Sequence, residues 1–143
     1  MTRVWFPRLL ISVFVGLAAA AYAGSSATQA DFVRVVKASP APGSPIAAQS
    51  QIDIVVTVKY GLYTAESGTV VLIVQDDKHR PLIAKGRDQE QKDVPKGTGE
   101  VTLATTVPVL AKFKSLEVYI ALVRSGTKST DTTTHFVWPV QQR

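Results

Sequence analysis

Gln51-Ile52-Asp53-Ile54-Val55-Val56-Thr57-Val58-Lys59-Tyr60 is the stretch on which the fold turns. Ile52, Ile54, Val56, Val58 and Tyr60 recur at every second position, and Asp53, Thr57 and Lys59 fall between them. Successive side chains of a strand point to opposite faces, so this pattern predicts a strand with one face in a core and the other in solvent. The period is two, not the 3.6 of a helix.

The same device recurs on either side. Ser115 to Val123 sets Leu116, Val118, Ile120 and Leu122 inward and Glu117 and Tyr119 outward. Glu100 to Val107 alternates Val101, Leu103, Thr105 and Val107 against Thr102, Ala104 and Thr106, and Pro108 is expected to close it because proline cannot donate to a ladder. Thr69 to Gln75 is apolar on both faces through Val70, Val71, Leu72, Ile73 and Val74, which predicts a central strand. Thr130 to Val140 places Thr132, Thr134, Phe136, Trp138 and Val140 on one side, as suits a last, edge-type strand. Asp31 to Ala38 is less regular, and Pro40, Pro42, Gly43 and Pro45 after it predict a bent first strand and an irregular connection. A short strand at Leu82 to Ala84 is expected beyond the polar turn Asp76-Asp77-Lys78-His79. About seven short strands without a helix-period segment predict an all-β chain folded as two packed antiparallel sheets, a β-sandwich.

Three features resemble the bacterial immunoglobulin-like modules of the fibronectin type III and CARDB kind. They are the Pro-rich connection Ser39 to Ala48 leading into Ile52 to Tyr60, the Gly97-Thr98-Gly99 turn leading into Val101 to Val107, and the closing Phe136-Val137-Trp138-Pro139-Val140. The resemblance spans roughly Asp31 to Val140 and implies an immunoglobulin-like sandwich, but a fold carries no activity with it. The chain departs from antibody-type domains in lacking both cysteines and a buried tryptophan in a central strand.

At the N-terminus, Arg3 and Arg8 precede the apolar stretch Leu9 to Ala21, which is shorter than the roughly 18 to 20 residues of a permanent span. Ala21-Tyr22-Ala23 follows with small residues at the two positions a signal peptidase reads. Residues 1–23 therefore read as a signal peptide cleaved between Ala23 and Gly24, residues 24–30 as a flexible lead and residues 31–143 as the sandwich. An exported protein, periplasmic or secreted, is expected, with no membrane span after cleavage.

Loss of Arg3 and Arg8 lowers Lys plus Arg from 16 to 14 against 11 acids, a net charge of about +3. The surplus is scattered and interrupted by acids, so no stripe for successive phosphates is present and nucleic acid is not an expected partner. The absence of cysteine excludes disulfides, thiolate metal sites and thiol nucleophiles. Asparagine is absent too, which removes any N-glycosylation acceptor.

Catalytic constellations are not legible. His79 and His135 are the only histidines and neither has a ligand at a suggestive spacing, so both read as surface residues and no metal or cofactor is expected. There is no Gly-x-Ser-x-Gly elbow. Asp76-Asp77 lies among Lys78 and Arg80, which reads as a solvated turn. Gly97-x-Gly99 lacks the following helix of a phosphate cradle and reads as a hairpin or corner turn.

Two features suggest binding. The polar connection Lys85 to Gly99, with Arg87 and Lys92, is longer than a change of sheets requires. Tyr60, Leu62 and Tyr63 cluster beyond the best strand, where aromatics either form a binding surface or cap the core. The expectation is a non-catalytic exported module that binds or assembles with another exported or envelope protein. The alternatives are a small-ligand or carbohydrate-binding protein using Tyr60, Tyr63 and the neighbouring loop, and an edge-strand partner pairing through Thr130 to Val140.

Overall fold

The structure is a computed structural model that describes residues 27–82, 90–130 and 132–142. The expected signal segment with Ala23 and Gly24, the loop residue Arg87 and the Ile83-Ala84 end of the expected short strand lie outside the described residues. Among the described residues there is no helix. Six strands run in chain order: β1 (Phe32–Ser39), β2 (Ile46–Ala47), β3 (Ser50–Asp76), β4 (Glu90–Val109), β5 (Ser115–Arg124) and β6 (Thr133–Gln141).

The two runs expected as separate strands, Gln51 to Tyr60 and Thr69 to Gln75, are the two halves of β3. The first half is flanked by β1 and by the second half of β4, all antiparallel. The second half lies between the first half of β4 and β5, and β6 follows on the far side of β5. The sheet is not closed into a barrel. The break between halves comes where Tyr63 to Glu66 on β3 stand against the single residue Lys96 on β4. Asp31 fixes this bulge: its Oδ1 accepts the N–H groups of Tyr63 at 2.7 Å and Thr64 at 3.1 Å, and its Oδ2 accepts the Thr64 hydroxyl. Burial pushes the Asp31 carboxyl up, but the Thr64 hydroxyl, the two backbone N–H groups and the charge of Arg124 outweigh it and hold the carboxyl below its ordinary range.

β4 bends sharply. Ten residues of straight strand would separate Lys92 from Thr102 by about 33 Å, yet Lys92 Nζ donates to the Thr102 carbonyl at 2.5 Å. Gly97, at φ 109°, takes a backbone conformation closed to side chains with a Cβ. The Gly97-Thr98-Gly99 segment is therefore a bend within one strand and not a turn between two. Glu90 to Gly99, expected as loop, is ladder, with Lys92 opposite Val70. Pro108 also lies inside β4, opposite Gln51. β3 is the only ladder partner of β4 among the described residues, so a missing N–H is tolerated on that edge. The expected short strand is reduced, among the described residues, to a bridge between Pro81 and Gln75.

β1 is bent, as its irregular pattern predicts, with a register shift between Val35 and Lys37. Past the cis Ser39-Pro40 bond the chain crosses to the other edge, where β2 pairs parallel with Val140 and Gln141 of β6. The C-terminal end of β6 is thus covered rather than open. Trp138 bolts the crossing in place: its ring is 0% exposed and its Nε1–H donates to the Ala41 carbonyl at 2.9 Å.

The inward positions of all these strands meet in one cluster, joining Val33, Ile54, Val56, Val58 and Leu103 to Val70, Leu72, Leu116, Val118, Ile120 and Trp138. β1 packs against β5 and β6, with which it shares no ladder. Each aliphatic side chain so buried contributes about 1.5–3 kcal/mol relative to exposure.

Candidate interaction surface

Strand parity decides what each half of β3 shows to solvent. Around the first half, the outward positions are Asp53, Val55, Thr57 and Lys59 of β3 and Glu100, Thr102, Ala104 and Thr106 of β4. Two pairs of these polar groups bond across the strands: Thr57 with Thr102 at 2.9 Å, and Thr106 Oγ1 to Asp53 Oδ1 at 2.7 Å. A shallow, open depression lies over Asp53, Val55, Ala104 and Thr106.

Around the second half the outward row is different. Ile73, Tyr119 and His135 stand side by side across β3, β5 and β6, and Gln75, Glu117 and Val137 form the next row. Val71 and Ile73 are half-buried and Val137 is 39% exposed. The Tyr119 and His135 rings stack with centroids 5.5 Å apart. Glu117 Oε2 accepts the Tyr119 hydroxyl at 3.3 Å and meets His79 Nδ1 at 3.0 Å. Burial first, then the neighbouring Glu117 charge and hydrogen bond, push the Tyr119 phenol up, so it stays a neutral donor. This face is aliphatic and aromatic, and its one carboxylate in the central rows is already engaged.

The turn that carries His79 is closed by bonds to Asp76. Asp76 is 1% exposed, which corrects its reading as part of a solvated turn. Its Oδ1 accepts the N–H groups of Lys78 at 2.9 Å and Arg80 at 3.0 Å, and its Oδ2 takes Arg80 Nε at 2.8 Å and Nη2 at 2.6 Å. The Arg80 guanidinium, more than offsetting the cost of burial and helped by the backbone N–H groups, lowers the Asp76 carboxyl to about 2.

The residues singled out in the sequence are not brought together. Tyr60 is 4% exposed and packs on Gly99, where a Cβ would come within 2.9 Å of its ring. It is core and not surface. Tyr63 is half-buried beside Phe32, with ring centroids 6.5 Å apart, and Arg34 lies 4.7 Å above the Phe32 ring. Lys92 sits on the bent edge of β4, far along the chain from either tyrosine. The sequence does place Tyr119 and His135 outward, but their juxtaposition with each other and with His79 depends on strand register, which no local pattern encodes.

The cluster of His79, Glu117, Tyr119 and His135 holds two imidazoles, a carboxylate and a phenol. Among the described residues no group of three His, Asp or Glu side chains is placed to hold a metal ion. Its chemistry suits recognition: stacking, apolar contact and a few directed hydrogen bonds. No protein-family model matches the chain, and no curated protein matches it in sequence.

Proposed function

We propose that the chain is an exported, non-catalytic module of immunoglobulin-like β-sandwich architecture that binds another exported or envelope protein through the Ile73, Tyr119, His135 and Val137 face. The sandwich reading is supported by the division of β3 and β4 into halves with different neighbours and by the packing of β1 on β5 and β6. Export is supported by the N-terminal sequence alone.

The observation that carries the interaction reading is the aromatic and aliphatic outer row across β3, β5 and β6, on the same molecule whose other outer row pairs Thr57 with Thr102 and Asp53 with Thr106. Protein interfaces are rich in such aromatic anchors. The sugar-binding alternative relied on Tyr60 and Tyr63 acting together, and the burial of Tyr60 removes its main support.

Affinity capture from the exported fraction tests the proposal. The expected result is one or more co-purifying proteins, lost with Tyr119→Asp and retained with Thr57→Asp on the other face. Equal recovery by both variants, or hydrolytic activity in the purified protein, contradicts it.

A further inference from the structure

A different part of the molecule, the end where β3 and β4 finish, carries a second surface. Two turns meet there. In the first, Leu110 to Lys114, the Phe113 N–H donates to the Leu110 carbonyl at 3.0 Å and the Phe113 side chain is buried in the core. Gln142 Nε2 holds the Phe113 carbonyl at 3.1 Å, and the Val140 N–H holds that of Lys114 at 2.9 Å. Leu110 on this turn is 44% exposed, with Ala111, Lys112 and Lys114 exposed beside it.

The second turn, Asp76 to Arg80, is joined to the first by the Lys114 N–H, which donates to Asp77 Oδ1 at 3.3 Å. It presents Lys78 and Arg80, both exposed. Of the acids nearby, Asp76 is ion-paired with Arg80, while Asp77, which receives the Lys114 N–H, and Glu117, bonded to His79, keep their charge. With four cations, Lys78, Arg80, Lys112 and Lys114, against these three acids, the two turns remain net positive. Among the described residues, no carboxylate pairs with the ammonium groups of Lys78, Lys112 or Lys114. The far end of the molecule differs, since Lys96 is paired there with Glu66 at 2.7 Å.

We infer that this end docks on a bilayer surface bearing anionic lipid headgroups. Lysines on these turns are drawn to the negative potential of such a surface, and their stems allow the ammonium groups to remain at headgroup level. Leu110, exposed on the same turn as Lys112 and Lys114, leaves water for the boundary of the acyl region, and the combination of an apolar residue with neighbouring cations gives reversible peripheral binding. One exposed aliphatic residue among lysines suits a soft interface better than the shaped surface of a folded acidic protein. The inference is independent of the strand-face interaction proposed above.

Sedimentation of the exported protein with lipid vesicles tests it. Vesicles of phosphatidylcholine alone provide the baseline. With about one-third phosphatidylglycerol, bound protein is expected to rise by about tenfold, and to fall back to the baseline near 0.5 M salt, where screening is short-ranged. Lys112→Glu combined with Lys114→Glu should remove the rise, Leu110→Ser should reduce it about threefold, and Lys96→Glu at the far end should leave it intact. An unchanged thermal melt shows that the variants fold. Equal binding to both vesicle types, or a rise that survives the double lysine variant, overturns the inference. Capture on polyglutamate beads without any preference for anionic vesicles also overturns it, identifying a reader of acidic protein instead. Millimolar inorganic phosphate should leave vesicle binding intact; displacement by it contradicts docking on a bilayer and points to a pocket for the free anion.

Discussion

The two halves of β3 lie on one continuous core and show solvent two opposite kinds of surface. Outside the first half, hydroxyls and carboxylates on adjacent strands satisfy one another, as Thr57 does with Thr102 and Asp53 with Thr106. Outside the second, Ile73, Tyr119, His135 and Val137 offer area with few charges. A strand that needed only to be soluble would look like the first half along its whole length. The difference between the halves, not the fold, marks where a partner is to be sought.

Loss of the shared core should affect both halves at once. Trp138→Ala removes a fully buried ring and leaves the Ala41 carbonyl without its donor, and should cost about 3–5 kcal/mol in denaturant unfolding. Hydrogen exchange in the variant should quicken on β4 and β5 alike. Protection lost from β5 and β6 alone would mean that the halves are separate folding units.

The faces themselves should respond unequally. Tyr119→Asp is expected to weaken partner capture by tenfold or more, read as the bound fraction against partner concentration, and Thr57→Asp by less than twofold. Similar losses for both variants would erase the distinction.

Acid offers a further contrast, because Asp76 closes the turn at the end of the apolar half. Its folded carboxyl titrates near 2 against an ordinary 3.8, so its contribution to stability is fully present above about pH 4 and is lost as pH falls toward 2. Asp76→Asn should flatten the pH dependence of the thermal midpoint across that window. An unaltered slope would mean that Arg80 does not hold the carboxylate in solution. Smallest is the polar face's own network: Thr57→Val should cost about 0.5–1 kcal/mol, since it removes one exposed cross-strand hydroxyl pair.

The sequence reveals these surfaces unevenly, for physical reasons. Alternation exposes Ile54, Val56 and Val58 as core and Tyr119 as outward because parity is a local property of a strand. It cannot show that His79, Glu117, Tyr119 and His135 meet, since that depends on pairing between segments far apart in the chain. Nor does it show that β3 runs unbroken past Tyr63 to Glu66: the carboxylate that holds the bulge belongs to Asp31, 32 residues away from Tyr63. The polar stretch from Gln91 to Asp93 reads as loop because an exposed edge strand and a solvated connection have the same composition. Asp76 reads as solvated because its burial comes from the turn closing around it, with Lys78 and Arg80 supplying the donors.

The chain has no cysteine, so single thiols can be placed without background. Val137 on the apolar face and Val55 on the polar face are 39% and 41% exposed, a matched pair. Val137→Cys and Val55→Cys should be alkylated at similar rates in the purified protein. In the presence of the exported fraction, alkylation should slow by several-fold at position 137 and be unchanged at position 55. Protection at 55 with continued labelling at 137 would contradict it.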